Sequence, residues 1–505
     1  MNHIHKNTVL WCSLVIWLLA GTFACNNYLD VKPQGQLNEE AAASDPATAQ
    51  KLVVGVYNTM WEGNMHGFPF VVMTNVASDD ADKGSNATDD LPNSGRIDNL
   101  DMDASINHIN SIWSGYYLGI SRANQAIQVL GGSTLEETLK NQLLGEVHFL
   151  RAYFYFNLVR FFGGVPKIDK VISPQEAASA TYQTKATKDA IYQFIIEDLE
   201  FALANVAAKG GANTSVGRVT KGAAAGMLAK VMLYRQSWQR AYSLADSVIT
   251  QKVGVYGLDN SYFDIWRETG ANSEESLFEV QTGINSICEA GIASYAECQG
   301  VRAGGKFGWA DLGWGFGAPS QSLLNEYAAG DTRREASIIF IGATGTVLWD
   351  GVRVPSQDSV ENSRYNYKSY HSQVRESYCG NRGRMPKNLR VLRYGEILLI
   401  RAEAAFALGN TATALADVNA LHPRAGLAPL GSIDRHAIWH ERRVELALEH
   451  DRYFDLIRQD EVEPGTAAAA FAAHGKTFAE KNKVFPIPRQ QIDLSNNNLV
   501  QNDGY

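Results

Sequence analysis

Basic residues and cysteine are scarce in this sequence, and each shortage argues against a class of protein. The 505 residues carry 45 Lys and Arg against 54 Asp and Glu, a net charge of −9, with no long basic run. A phosphate backbone is met by clustered Lys and Arg, so we expect no nucleic-acid partner. The five cysteines contain no CxxC pair and no Cys/His cluster, which argues against a disulfide scaffold and a structural metal.

The motifs of common enzymes are also missing. The chain contains no G-x-S-x-G elbow, no P-loop and no H-E-x-x-H motif. His440 and His450 are ten residues apart rather than four, so they cannot share a metal on one helical face. The many carboxylates could supply a glycosidase pair, but no spacing singles one out. The motifs therefore indicate no particular catalytic chemistry.

The N-terminus has the pattern of a secretory signal peptide over residues 1–24. A weakly basic start is followed by an apolar run over 9–24, which is shorter than the roughly 20 residues of a membrane-spanning helix. Cys25 follows Ala24 at the end of this run, an arrangement that resembles a bacterial lipobox. We expect cleavage before Cys25 and lipidation of its thiol. The alternative is ordinary secretion, with Cys25 buried or paired.

Long stretches with apolar residues at i, i+3, i+4 and i+7 predict amphipathic helices. They cover 106–130, 135–162, 187–208, 219–234, 238–250, 393–408, 411–421 and 438–458. Gly163 and Gly164, with Pro166 just beyond, predict the end of the second helix. Ser237 is a candidate N-cap for the fifth.

Two of these stretches, 226–249 and 395–421, have the layout helix, short turn, helix, with small residues on one face. This layout is typical of tetratricopeptide-like helical pairs, which bury a continuous core by stacking. The region 254–388 differs, because residues 283–317 contain nine glycines and no helical period. Short strands are predicted at 277–281 and 337–341.

The fold class that follows is mainly α. Tetratricopeptide-like helical pairs would form a scaffold for an irregular loop-rich face with a few short strands. We expect a single body over 25–505, mostly helical over 25–253, loop-rich over 254–388, and helical with a C-terminal tail over 389–505. Binding surfaces are often built from loops on a rigid scaffold, so the loop-rich region is where we expect function.

The segment SDDADKGSNATDD, residues 78–90, is the strongest polar cluster. We expect a solvated loop. Recognition of sugar hydroxyls and a calcium site, which would use carboxylate and carbonyl oxygens, are the alternatives. No frame of the segment has the order of acids, Gly and closing Glu of an EF-hand.

Six segments, in order along the whole chain, resemble the SusD/RagB family. They are LDVKPQGQL after Cys25, FLRAYFYFNLVRFFGGVP at 149–166, RVTKGAAAGMLAKVMLY at 218–234, LRYGEILLIRAEAAFALG at 392–409, HERRVELALEHDRYFDLIR at 440–458, and VFPIPRQQIDLSNNNLVQNDGY at the C-terminus. The family consists of surface-exposed, lipid-anchored glycan-binding proteins of Bacteroidetes. LHPRAGL and Asn502-Asp503 depart slightly from its pattern.

The resemblance implies a non-catalytic, oligosaccharide-binding lipoprotein of the outer membrane, tethered through Cys25. It also implies a partner, a SusC-type TonB-dependent transporter, over which such proteins sit as a lid. Two alternatives stay open. The helical pairs could serve mainly as a protein-binding scaffold of the uptake complex, or the captured nutrient could be a peptide or glycopeptide.

The ligand-contacting residues vary within the family, so candidates come from residue type and context. Aromatic faces stack on pyranose rings, and Trp61, Trp309 and Trp314 lie near glycines, where exposure is favoured over a role in the core. The polar candidates are Asp79, Asp80 and Lys83.

Two further groups of residues invite a structural interpretation. The charges Arg442, Arg443, Glu445, Glu449, Arg452 and Asp455 recur at i, i+3 and i+4, which predicts a salt-bridge network. Cys288 and Cys298 could close a loop as a disulfide, or could remain unpaired with Cys379 as small apolar residues.

Overall fold

The computed structural model describes residues 39–211, 215–285, 291–304, 306 and 309–505. Cys25, the signal peptide and Cys288 lie outside these ranges. The long helices are α1 (Pro46–Tyr57), α2 (Asn107–Gly131), α3 (Glu137–Phe162), α4 (Lys188–Asn205), α5 (Lys221–Tyr234), α6 (Trp238–Ile249), α7 (Tyr394–Ala407), α8 (Thr411–Ala425), α9 (Arg435–Glu445), α10 (Arg452–Val462) and α11 (Thr466–Ala473).

Shorter elements fill the intervening chain. Short α-helices span Glu39–Ala42, Gly63–His66, Phe68–Val71, Arg96–Asp98, Pro174–Ala177, Ala180–Gln183, Tyr295–Gln299, Gln321–Glu326, Arg333–Ser337 and Arg489–Leu494. The 3-10 turns are Asn58–Trp61, Asp264–Trp266, Glu268–Gly270, Gln357–Ser359, Arg382–Arg384 and Glu480–Lys483, and the π-helical turns are Val72–Val76 and Leu91–Gly95. The strands are β1 (Ala81–Gly84), β2 (Ser276–Val280), β3 (Phe316–Pro319), β4 (Ile338–Phe340), β5 (Thr346–Val347), β6 (Arg353–Val354), β7 (Arg364–Asn366) and β8 (Leu389–Arg393).

The predicted helical pairs are confirmed, and small residues explain their close packing. Helix α5 packs on α6, α7 packs on α8, and α6 packs on α7, so the two pairs stack. A Cβ at Gly226 of α5 would lie 2.8 Å from side-chain atoms of both Leu277 and Leu392. Glycine therefore lets α5 approach the β2–β8 ladder and α7 closely.

The predicted helix over 438–458 is wrong, because it is two helices. Helix α9 ends at Glu445 and α10 begins at Arg452. Between them, Leu448 and His450 have φ values of 63° and 73°. These left-handed conformations interrupt a right-handed helix even though the apolar periodicity continues through them.

The predicted end of α3 and the predicted start of α6 both lie where the sequence places them. Helix α3 ends at Phe162 and Gly163 follows at φ 71°, as the Gly-Gly-x-Pro pattern predicts. Ser237 lies at the N-cap position of α6, but its side chain makes no capping hydrogen bond there. The predicted N-cap position is therefore confirmed, without a hydrogen bond from the side chain.

The strands form antiparallel pairs, with β1 on β3, β2 on β8, β4 on β7 and β5 on β6. The main hydrophobic cluster contains residues as far apart as Ala49 and Leu499, so both ends of the described chain share it. A smaller cluster inside the loop-rich region includes Val301, Ile341 and Tyr365. No helix of the described residues is long and apolar enough to cross a membrane.

The predicted salt-bridge network exists, but its partners come from other elements rather than from neighbouring turns. Glu445 of α9 is fully buried and forms ion pairs with three guanidinium groups, those of Arg333, Arg393 and Arg424. These guanidiniums hold the pKa of Glu445 well below its usual range, although burial alone would raise it. In the same way, Arg442 reaches Glu396 on α7. The network joins the C-terminal helices to the scaffold and the loop-rich region.

Candidate functional site

The loop-rich face is organised by the pairing of β1 with β3. In this antiparallel ladder Gly84 pairs with Phe316, and the Ser85 N–H donates to the Gly315 carbonyl oxygen at 2.7 Å. Gly84 and Gly315 both have positive φ, at 66° and 82°, and a Cβ at Gly84 would lie 2.5 Å from the Gly315 oxygen. Glycine is required at this crossing because the two loops turn there in close contact.

Trp314 lies next to this crossing and is half-buried. Its backbone N–H donates to the Glu297 oxygen at 2.9 Å, which joins it to the short helix Tyr295–Gln299. The ring packs edge-to-face on Phe68, with centroids 5.5 Å apart and planes at 85°. Phe68 in turn contacts Phe316 at 4.6 Å. The indole is thus held by packing on Phe68 and on the main hydrophobic cluster, and the residue stays half-buried.

Polar groups border Trp314 on the side of β1. Arg302 forms a salt bridge with Asp89, and its Nη1 donates to the Ser85 hydroxyl at 2.7 Å. The Ser85 Oγ also lies 2.7 Å from the Trp314 carbonyl oxygen. Arg302 and Asp89 keep 28% and 30% of their side-chain surface exposed. Hydrogen bonds from Ser85 and Arg302 lower the pKa of Asp89, although its slight burial acts in the opposite direction.

A second ion pair involves Glu297, whose backbone oxygen accepts the Trp314 N–H. Arg382 approaches Glu297 at 4.0 Å and donates to the backbone oxygen of Asp311. The Asp311 carboxylate accepts the backbone N–H groups of Ala303 and Gly304, at 2.7 and 3.1 Å. The Trp314 backbone therefore connects the two ion pairs: its carbonyl oxygen accepts from Ser85, which also contacts Asp89 and Arg302, and its N–H donates to the backbone oxygen of Glu297. We call Trp314, Asp89, Arg302, Glu297 and Arg382 the Trp314 surface.

Lys83 lies at this surface, but its ammonium group is already engaged. Its Nζ donates to the backbone oxygens of Gly84, Asn86 and Asp89, at 3.0, 2.8 and 3.1 Å. Three donors are all that an ammonium group has. Lys83 therefore shapes the loop that carries Asp89 and has no donor left for a ligand in this conformation.

Asp79 and Asp80 lie below the surface, and the expected solvated loop is wrong for both. Asp79 accepts two hydrogen bonds from Arg452, at 2.7 and 2.9 Å, and contacts Arg443 at 2.8 Å. Asp80 accepts a hydrogen bond from Arg443 at 2.9 Å. The two carboxylates are 0% and 1% exposed, so neither faces a surface ligand. Arg452 and Arg443 lower the pKa of Asp79 against the opposing effect of burial, whereas burial raises the pKa of Asp80.

Trp61 does not belong to the Trp314 surface. Its backbone oxygen accepts the Ala293 N–H at 3.2 Å, and its Nε1 donates to the Gln281 oxygen at 2.5 Å. The half-buried ring lines a cavity of about 200 Å³ with Tyr57 and Val216. A neighbouring cavity of about 290 Å³ shares Val216 and Gln281 with it. Trp61 is thus accessible, in a separate groove.

Trp309 packs mainly on the smaller hydrophobic cluster of the loop-rich region. It is half-buried, and its Nε1 donates to the Arg353 oxygen at 3.2 Å. This hydrogen bond holds the ring against the β5–β6 hairpin. Trp309 therefore supports the loops through this packing and this hydrogen bond.

The structure does not supply a metal site for the calcium alternative. No group of three or more His, Cys, Asp or Glu residues in the described ranges is placed to hold an ion. Cys298 is a buried thiol, not half of a disulfide, and its Sγ donates to the Tyr295 oxygen at 3.4 Å. Of the two alternatives for Cys298, the unpaired thiol is the one observed, and Cys288 lies outside the described residues. Burial raises the pKa of the Cys298 thiol far above its usual value.

Sequence reasoning missed most of the polar members of the Trp314 surface. Asp89 belonged to the acidic segment, but its partner Arg302 is 213 residues away. No sequence pattern indicated that Phe68 packs on the Trp314 indole. The available signal was Arg302 itself, a cation just before the run of glycines and aromatics that ends with Trp314.

Two family models match the chain. The model described as "SusD family" matches residues 275–505, and the model described as "Starch-binding associating with outer membrane" matches residues 27–233. A SusD-like protein P2 from Formosa agariphila is 27% identical, over 97% of this chain and 98% of its own length.

Solved structures with the same fold were also found. A laminarin-binding SusD-like protein is 28% identical, with a TM-score of 0.76, over 91% of this chain and 99% of that one. The surface glycan-binding protein A of Bacteroides thetaiotaomicron, solved with laminarihexaose, is 24% identical, with a TM-score of 0.74, over 91% and 99%. These likenesses confirm the mainly α class with tetratricopeptide-like pairs.

Proposed function

We propose that this chain, which belongs to the SusD family, captures oligosaccharides at the cell surface and passes them to a SusC-type TonB-dependent outer-membrane transporter. Members of the family are non-catalytic glycan-binding proteins, and this protein is a binder rather than an enzyme. The description matched by residues 27–233 names an association with the outer membrane. Lipidation of Cys25 would provide the attachment, since several acyl chains anchor a protein stably.

The observation that carries glycan binding is the half-buried Trp314, whose backbone contacts join it to two ion pairs on the loop-rich face. The apolar C–H face of a pyranose ring stacks on such an indole. The Asp89 and Glu297 carboxylates can accept hydrogen bonds from sugar hydroxyls, and Arg302 and Arg382 can donate to them. Packing on Phe68 holds the indole in place before a ligand arrives, which lowers the entropic cost of binding.

Laminarin is the first ligand to test, because the solved relative at 28% identity is a laminarin-binding protein. We infer that residues 25–505 act as one body in this role, since Ala49 and Leu499 lie in the same hydrophobic cluster. A rigid body of this kind suits a tethered lid over a transporter. The delivery step rests on family membership alone.

The decisive experiment compares polysaccharide binding by Trp314→Ala with that of a matched variant. The mature protein would be run through native gels containing laminarin, and its affinity for laminarihexaose would be measured by calorimetry. Trp314→Ala should weaken binding by about tenfold, equivalent to about 1.4 kcal/mol. Trp238→Ala, a half-buried indole on helix α6 of the scaffold, should leave the affinity unchanged.

The outcomes separate the three hypotheses. Equal binding by wild type and Trp314→Ala would remove the Trp314 surface as the site. No retardation of the wild type by any polysaccharide in a broad panel, together with tight binding to the transporter, would favour the protein scaffold. Binding of a peptide digest without binding of polysaccharide would favour capture of peptides. Release of reducing sugar by the pure protein would contradict the non-catalytic assignment.

A further inference from the structure

A groove on the far side of α2 from the Trp314 surface has a volume of about 350 Å³, larger than either cavity beside Trp61. It lies between α2, the chain after α3, and the short helices Ala180–Gln183 and Arg489–Leu494. Small-molecule sites commonly occupy about 300–1,000 Å³, so this groove has room for a mono- or disaccharide. We call it the C-terminal groove.

The C-terminal groove and the Trp314 surface use different sides of α2. Near the start of α2, His108 contacts Phe68, the packing partner of Trp314, at 4.9 Å. Trp113 and Tyr117, which line the groove, follow five and nine residues later. At about 100° per residue these positions are turned about 140° and 180° from His108. No described residue lines both places.

Aromatic side chains form the floor of the groove, and packing fixes their orientation. Trp113 contacts Phe162 at 5.0 Å and Tyr117 at 5.1 Å between ring centroids. The Tyr117 hydroxyl donates to the Pro166 oxygen at 2.7 Å. Tyr182 of the Ala180–Gln183 helix lines the groove as well. A ligand would therefore meet aromatic and aliphatic surface that does not rearrange.

Two amide side chains border this floor, and each has one atom engaged and one atom open. Gln491 donates through Nε2 to Asn110 at 2.9 Å, which leaves its Oε1 as an acceptor. Gln183 accepts at Oε1 from Asn498 at 2.7 Å, which leaves its Nε2 as a donor. The existing hydrogen bonds fix both amides, so the groove offers an oriented acceptor and an oriented donor.

The charge of the lining decides among ligand classes. None of the described residues that line the groove is charged. The cavity beside Trp61, in contrast, is lined by Lys209, Arg218 and Glu279. The groove therefore suits a neutral molecule that has both an apolar face and hydroxyl groups, because it combines an aromatic floor with oriented neutral amides and has no charged residue in its described lining. An acyl chain would leave the two amide atoms without partners.

We infer that the C-terminal groove is a second site, for one or two pyranose rings of a neutral glycan, independent of the Trp314 surface. The inference rests on the proposed function only for the choice of probe. Two sites on one body would engage a long polysaccharide at two points, so its avidity would exceed the affinity of either site for a short oligosaccharide.

Titration with laminarihexaose in the Trp314→Ala background, in which the first site is weakened, tests this inference. In Trp314→Ala, weak binding at millimolar concentration should remain. Adding Gln183→Ala should lower that residual affinity by at least threefold. Gln193→Ala, an exposed glutamine on α4 that donates to Glu197, is the matched control and should change nothing. Ser114→Tyr, which would place a ring at the groove wall, should lower the residual affinity as well.

The outcomes distinguish this inference from the proposed function. Loss of all binding in Trp314→Ala alone would overturn the second site and leave the proposed function standing. Residual binding that neither Gln183→Ala nor Ser114→Tyr changes would overturn the groove as its location. No binding by the wild type would refute the proposed function, and the groove would then fail only if glucose and laminaribiose also gave no Gln183-dependent signal. Competition by a dodecyl detergent or an apolar peptide, without any effect of sugar, would overturn the saccharide as occupant.

Discussion

Lowering the pH from 7 to 5 should destabilise this protein by about 4 kcal/mol through two buried histidines, His66 and His450. Both side chains are buried and hydrogen-bonded at both ring nitrogens. Burial lowers the pKa of His66 to about 4 and that of His450 to about 3. The neighbouring Asp451 raises the pKa of His450, whereas Lys368 lowers it, and burial is the largest effect.

Burial keeps both rings neutral, and the hydrogen bonds fix which ring nitrogen carries the proton. The Nδ1–H of His66 donates to the Met60 oxygen at 2.9 Å, and its Nε2 faces the Tyr153 hydroxyl at 2.8 Å. A backbone carbonyl oxygen can only accept, so the proton is on Nδ1. The Thr74 hydroxyl donates to the Phe70 oxygen, so it accepts from Nδ1–H of His450 in the same way. In each ring, Nε2 accepts a hydrogen bond from a tyrosine hydroxyl. Protonation of Nε2 would remove this acceptor and place a positive charge in the core.

The sign and size follow from linkage. An unfolded histidine has a pKa of about 6.5, so below that pH the unfolded chain gains protons that the folded chain excludes. The stability is fully present above about pH 6.5 and declines as the pH falls towards the folded-state values. At pH 5 each histidine costs about 1.5 units times 1.36 kcal/mol, or about 2 kcal/mol. Two such losses are a large part of a typical stability of about 5–15 kcal/mol.

Urea denaturation at pH 7 and pH 5 measures the effect. His450→Asn is the informative variant, because asparagine tolerates the left-handed backbone at this position, where φ is 73°. It should lose some stability at pH 7, yet its loss between pH 7 and pH 5 should be about 2 kcal/mol smaller than that of the wild type. His436→Asn, which replaces a histidine whose side chain is 68% exposed, serves as the control. Parallel pH profiles for wild type and His450→Asn would refute the reasoning.

Three further predictions concern the ion network, the site and the anchor. Arg333→Met, which removes a fully buried guanidinium from its carboxylate partners, should cost about 3–5 kcal/mol in urea denaturation, whereas Arg334→Met next to it should cost less than about 1 kcal/mol; similar costs would contradict the network. Gly313→Ala would place a Cβ 2.0 Å from a backbone oxygen and should weaken laminarin binding in affinity gels, whereas Gly431→Ala, with open space around it, should not. Cys25→Ala should move the protein from the membrane to the soluble fraction, and a variant that still pellets with membranes would count against the lipid anchor.

The scaffold could be predicted from the sequence because its signals are local. The apolar period over 135–162 and the glycines after it place α3 to within two residues at its start. The small residues of α5 predict close packing, and the short distances from a Cβ at Gly226 to its neighbours confirm this prediction. Periodicity failed between α9 and α10, since the left-handed Leu448 and His450 occur in a segment whose apolar spacing stays helical.

The candidate site could be predicted only in part, because its partners are distant in sequence. Trp314 stood out as an aromatic among glycines. The burial of Asp79 could not be predicted, because acidic residues in a polar segment are normally exposed to solvent. Its partner Arg452 lies 373 residues away in the sequence. Arg302 and Asp89 meet only once β1 and β3 have paired. Such groups acquire their environment from tertiary contacts that no local pattern records.

The ion pairs from Asp79 and Asp80 to Arg443 and Arg452 also constrain the order in which the chain can fold. A carboxylate buried without a cation costs several kcal/mol, so the segment that leads into β1 cannot settle before the C-terminal helices are present. Contacts this far apart in sequence make folding slow. Because Arg443 and Arg452 lie near the C-terminal end of the chain, the core around β1 stays open until almost the whole chain is available to fold.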